Sequence, residues 1–204
     1  MKPSILLFLL FSVSHFSIIA QTEINMENNQ ELPYYQIPDY PENFTAATVA
    51  ARMIDGLGFR YFWATENLRD EDLNFKPNDE ARTVEETLGH ILSLSEVILN
   101  ATKNEPRIRP APEQVLTFEK LRRQTLENCN EASDILKANP EKSLEEYNII
   151  FERSGTTSEY PFWNLINGPI ADAIWHVGQV VSFRRSSGNP LNPKVSVFNG
   201  KLRD

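Results

Sequence analysis

The chain has 204 residues, with 20 Lys and Arg against 28 Asp and Glu and a formal net charge of −8. Such a surface repels phosphate backbones and argues against a nucleic-acid partner. Cys129 is the only cysteine, which excludes an intrachain disulfide and leaves stability to a core that a chain of this length can bury within one domain.

Met1-Lys2 followed by the apolar run Ile5 to Ala20 and then Gln21-Thr22-Glu23 has the order of a signal peptide: basic start, hydrophobic stretch, small residue at the cut. Residues 1–20 are therefore expected to be removed after Ala20. The product would be exported, periplasmic or secreted, without stable membrane insertion; an uncleaved N-terminal anchor is the competing reading. No cysteine follows the run to carry a lipid. Cleavage takes Lys2 and His15 away, leaving net −9 and two histidines, His90 and His176. Residues 21–43, with Pro33, Pro38, Pro41 and Tyr34, Tyr35, Tyr40, form an extended leader that drapes over the domain or stays mobile. The domain proper spans 44–204.

Thr45 caps a first helix on Val49, Met53, Leu57, Tyr61 and Leu68, with Phe59, Phe62 and Trp63 adding bulk. A loop follows from Arg69 to Asp79. Thr83-Val84-Glu85-Glu86 is a capping box that starts a second helix running to about Thr102, and a cap is sufficient reason for Glu86. After a Pro-rich connection (Pro106, Pro110, Pro112), Thr117 caps a third helix on Leu121, Thr125, Cys129, Ala132 and Leu136, ended by Asn139-Pro140. Cys129 then reads as a small buried apolar residue. The stretch Ser143 to Tyr160 is ambiguous between a short strand and an ordered loop, and is taken as an irregular crossover. Pro161-Phe162-Trp163 opens the last helical region, Asn167-Gly168-Pro169 kinks or restarts it, and Ser187-Gly188-Asn189-Pro190 ends it. Trp63, Trp163 and Trp175 read as core rather than as pocket walls. Leu191, Val195, Val197 and Phe198 are the docking points of a polar tail. No internal repeat is evident. The expected fold is all-α, a four-helix bundle with a long crossover before the last helix.

At 100° per residue, Ile170, Ile174, Val177 and Val181 share one stripe of the last helix, which should face the core. Asp172, His176, Gln179 and Phe183 share the opposite stripe, and the i, i+4 spacing sets Asp172 beside His176. His90 lies on a helix that is apolar on two faces and is expected to point inward, where an imidazole needs a partner or a metal. Spacing alone leaves a solvated Asp–His pair and a satisfied core histidine as alternatives to a three-ligand site. Gln179 is either a group bonded to a ligand or an ordinary amide. Arg184 and Arg185 are expected to contact the C-terminus of their own helix rather than an anionic substrate.

Leu68-Arg69-Asp70-Glu71-Asp72-Leu73, Thr83-Val84-Glu85-Glu86-Thr87-Leu88-Gly89-His90-Ile91, and Ile174-Trp175-His176-Val177-Gly178-Gln179 with Arg184-Arg185 and Gly188-Asn189-Pro190 occur in that order. Together they resemble the DinB-like superfamily of four-helix metal-binding proteins over about Thr45 to Pro193. The resemblance implies a divalent metal held by one histidine of the second helix and two of the fourth, which matches His90 and His176. Asp172 stands where a further histidine is expected. A carboxylate there suits zinc or nickel, with manganese or iron as further candidates. Relatives that the resemblance brings in include thiol S-transferases and isomerases, so a metal-dependent transferase or hydrolase of unknown small-molecule substrate is the expectation. The alternative is a non-catalytic metal- or ligand-binding bundle of the cell envelope. Small reduced thiols are mainly cytosolic, which weakens the thiol reading for an exported chain. A homodimer is a family habit only.

Overall fold

A computed structural model of the chain describes residues 32–110 and 115–204. The expected signal peptide, 1–20, and the leader up to residue 31 lie outside the described residues. Four long helices and a small three-stranded sheet make up most of what is described, so the all-α expectation is corrected to a mostly helical fold that includes strands. None of the described helices is long and apolar enough to cross a membrane.

Helix α1 (Ala46–Thr65) begins at Thr45, whose hydroxyl accepts from the Thr48 amide while the Thr48 hydroxyl accepts from the Thr45 amide. From Ile54 to Thr65 every residue except Arg60 is buried, because neighbours cover it on several sides. Part of that cover is the chain before it. Tyr34 is buried and donates to Asp55 at 3.0 Å, Trp63 donates to the Tyr35 carbonyl at 3.1 Å, and Arg52 donates to the Pro38 carbonyl at 2.7 Å. The Tyr34 ring fills the place a Cβ on Gly58 would need, 2.3 Å from it. Of the two expectations for the leader, draping is what residues 33–43 do. Asp55, itself 1% exposed, is held at 2.9 Å by Lys137, so the buried charge is paired.

A short helix α2 (Asp70–Leu73) replaces part of the expected loop. Helix α3 (Val84–Lys103) carries the expected box: the Thr83 hydroxyl accepts from the Glu86 amide and Glu86 accepts from the Thr83 amide at 2.8 Å. Strand β1 (Pro106–Arg109) follows, then helix α4 (Phe118–Ala138), capped by Thr117 and buried at Leu121, Thr125, Cys129, Ala132 and Leu136 as expected. Burial and the nearby Asp55 push the Cys129 thiol up to about 12, which makes it inert at neutral pH.

The stretch taken as an irregular crossover is a 3-10 turn (Leu144–Glu146) and a hairpin of β2 (Asn148–Arg153) and β3 (Thr156–Pro161). Ser154 and Gly155 both have positive φ (51° and 77°), the backbone a two-residue hairpin turn with the right twist requires. Strand β1 pairs in parallel with β2, so α4 is the crossover of a β-α-β unit and β2 is the central strand.

After a four-residue helix α5 (Phe162–Leu165) the chain passes through a π-turn (Ile166–Ile170), where Gly168 is non-helical and Pro169 restarts the helix, as its sequence suggests. Helix α6 (Ala171–Ser186) buries Ala173, Val177, Val180 and Arg184. Ile174 and Val181 are only half-buried, so the core stripe is rotated from the one the apolar residues alone define. Trp163 and Trp175 are 74% and 72% exposed, against the expectation of core. In the tail, Val195 is buried and pairs through β4 (Val195–Ser196) with β5 (Lys201–Leu202), whereas Val197 and Phe198 are exposed.

Helix α6 ends in a Schellman motif: Asn189 donates to Arg184 and Gly188, at φ 84°, donates to Arg185. Its last turn enters a polar junction. Arg184 donates to the Trp63 and Ala64 carbonyls at the end of α1 and to Asn189. Asn189 and Ser187 donate to Asp72, which also accepts from the Arg69 amide and guanidinium. Burial alone would raise the Asp72 pKa, but the bonds from Arg69, Ser187 and Asn189 outweigh it and hold the carboxyl well below the usual carboxylate range. Asp72→Asn, which loses the charge and gives a donor where only an acceptor fits, should cost about 2–4 kcal/mol in urea unfolding at about pH 7. Because the folded pKa is depressed, that contribution is present above the unfolded value near 3.9 and fades as pH falls below it, so the gap between parent and variant should narrow at about pH 3.

Candidate metal centre

His90 projects from the second turn of α3 and Asp172 and His176 from the first two turns of α6. The three side chains converge between those helices. One ligand atom from each lies within 4.8 Å of the other two. The Asp172 carboxylate sits between the rings, Oδ2 at 3.4 Å from His90 Nε2 and Oδ1 at 3.4 Å from His176 Nε2. The two imidazoles meet edge to face, centroids 4.7 Å apart.

These distances are informative. A hydrogen bond from a ring N–H to a carboxylate is usually 2.7–2.9 Å, and 3.4 Å is long for one. Two ligand atoms each about 2.1 Å from a tetrahedral ion are about 3.4 Å apart. The group could hold a metal ion, with the carboxylate in the middle and the two imidazole nitrogens on either side. No fourth carboxylate or thiol joins it among the described residues, and Glu86 is occupied in the cap of α3.

Burial differs from the expectation in a way that matters for chemistry. His90 is 32% exposed, Asp172 38% and His176 15%, so the cluster lies on a flank of α6 that borders the core stripe rather than opposing it, and His90 stands at the rim rather than deep inside. One side of the cluster therefore faces solvent. Burial, then His176 and Arg82, hold the His90 imidazole below its ordinary 6.5, against the pull of Asp172. A ring biased to its neutral form offers a lone pair at neutral pH, as a metal ligand must.

Gln179 lies one turn beyond His176 and its Oε1 is 2.8 Å from His176 Nδ1. An amide oxygen only accepts, so this contact fits the tautomer with the proton on Nδ1, which would turn the Nε2 lone pair to the Asp172 side. Gln179 is thus a hydrogen-bond partner of His176 rather than an amide directed only at solvent. Arg184 bonds Asn189 just past its own helix but also reaches, from a buried position, the C-terminus of α1, which the sequence did not indicate; Arg185 is exposed.

Three surface cavities are lined by other residues: one beside Tyr40 and Phe44, one on the sheet, and one along the far flank of α6. No family model, no curated protein and no solved structure matches the chain.

In the metal-free protein at mildly alkaline pH, ring nitrogen shifts of His176 should report the Nδ1–H tautomer. Gln179→Ala should return the ring toward the Nε2–H form; an unchanged tautomer would show that the amide does not set it.

Proposed function

We propose that the chain is an exported, DinB-like four-helix protein in which His90, Asp172 and His176 hold one divalent metal, and that it acts as a metal-dependent transferase or hydrolase on a small molecule. The observation that carries this reading is the convergence of His90, Asp172 and His176 from two helices, with one ligand atom of each within 4.8 Å of the others, close enough for one ion to bridge. The four long helices α1, α3, α4 and α6, with ligands on two facing ones, support the bundle reading. A donor set of two imidazoles and one carboxylate suits zinc or nickel, and its hardness admits manganese or iron.

A divalent ion held there supplies Lewis acidity. The residues of the chain do the rest: Asp172 places its carboxylate between the two imidazoles, Gln179 orients the His176 ring, and the exposed sides of His90 and Asp172 leave an approach for substrate. With cobalt(II) loaded in place of the native ion, a visible spectrum that shifts on adding a small anion would mark an open coordination position and an enzyme-like site; an unresponsive spectrum favours binding alone.

Metal analysis of untagged protein should find about one divalent ion per chain, falling to trace in His176→Ala with unchanged circular dichroism. Equal trace occupancy in both would overturn the proposal. Gln179→Ala should retain the site but bind metal roughly 10–100-fold more weakly in chelator competition.

A further inference from the structure

The sheet carries a second cluster of chemistry that the metal site does not use. Side chains alternate across a strand, and register partners share a face. Arg109 pairs with Arg153 and Arg107 with Phe151 across β1 and β2, while Thr156 and Ser158 stand opposite Arg153 and Phe151 on β3. One face thus carries three guanidinium groups in a chain of net charge −8.

Only one of the three is neutralised by a carboxylate. Glu96 of α3 is ion-paired with Arg107; its field reaches Arg109, and burial raises its pKa against both arginines. Among the described residues no carboxylate bonds to Arg109 or Arg153. Like charges directly opposite on neighbouring strands repel, so this juxtaposition costs stability unless something else answers it. Around the two cations lies an open cleft of about 600 Å³. Hydroxyls of Ser154, Thr156 and Ser158 line it, and Phe151 and Tyr160 form its apolar wall, ring centroids 6.1 Å apart. Arg109 already lies over the Phe151 ring at 5.3 Å, which holds its fork in place.

We propose that this cleft binds a small organic phosphate carried on an aromatic ring. Arg109 and Arg153 would grip the phosphate oxygens as paired forks. The hydroxyls add donors, and the ring of the ligand packs on Phe151 and Tyr160. The opposed arginines are explained by the anion between them, and the site stands whether or not the metal reading holds.

Phenyl phosphate, inorganic phosphate and benzyl alcohol are the probes, titrated calorimetrically into the full chain and into Arg153→Gln and Arg109→Gln. The parent should bind phenyl phosphate more tightly than inorganic phosphate and benzyl alcohol not at all, and each variant should lose roughly tenfold or more in affinity. In phosphate-free buffer Arg153→Gln should melt at the parent's temperature or above it, because a repulsion has been removed and no bond from its side chain to another described residue is lost. Equal affinity of parent and variants, or no binding by the parent, overturns the site; equal affinity for phenyl and inorganic phosphate overturns the aromatic part. An Arg153→Gln variant that melts lower than the parent in that buffer also overturns it, since that guanidinium would then be a structural contact.

Discussion

The end of α1 is buried, and a buried helix C-terminus must find donors for carbonyls that no further turn will satisfy. Two arginines from distant parts of the chain meet that demand. Arg122 of α4 donates to the Phe62 carbonyl and the Thr65 hydroxyl and lies over the Phe62 ring, and Arg184 of α6 donates to Trp63 and Ala64. Burial lowers the pKa of both, that of Arg122 to about 10, yet leaves each a cation at neutral pH. They therefore combine hydrogen bonding with a favourable charge at the negative end of the helix dipole.

Arg184 does more than cap. It lies on the same stripe of α6 as Ala173, Val177 and Val180, so fixing its guanidinium against α1 fixes the rotation of the whole helix. Asp172 and His176 are carried to the flank that faces α3 by that rotation. Asp72, Ser187 and Asn189 brace the same end. The candidate centre is thus positioned by a polar junction about two to three turns away along α6, at 1.5 Å rise per residue, and its exposed side is a consequence of where that junction turns the helix.

Local signals were legible in the sequence. The reciprocal bonds of Thr83 with Glu86, the Thr117 cap, the restart at Pro169 and the stop at Gly188 each depend on a few adjacent residues, and each stands where the sequence puts it. The adjacency of Asp172 and His176 also follows from helical spacing, because 100° per residue decides which side chains neighbour one another; that His90 joins them was implied by the resemblance, not by spacing. What spacing does not decide is which stripe faces inward. Counting apolar residues chose Ile174 and Val181, whereas a buried, hydrogen-bonded arginine belongs to the true core stripe. The strands failed for a different reason. Strand β1 is four residues long, includes Pro106, and exists only through pairing with a segment some forty residues later, which no local pattern announces. The hairpin left one local trace, the turn-forming Ser154-Gly155 within the stretch that was ambiguous between strand and loop.

The packing of the leader has a consequence for where this molecule begins. Tyr34 occupies the notch that Gly58 leaves open and donates to Asp55, the partner of Lys137, and the Ile37 amide donates to the Gly200 carbonyl in the tail. The stretch before the first helix is thereby stitched both to the interior and to the opposite terminus. An expression boundary drawn at residue 44, where the helical pattern starts, would strip a ring from the core and a donor from a buried carboxylate, so the autonomous unit has to be cut upstream of Pro33.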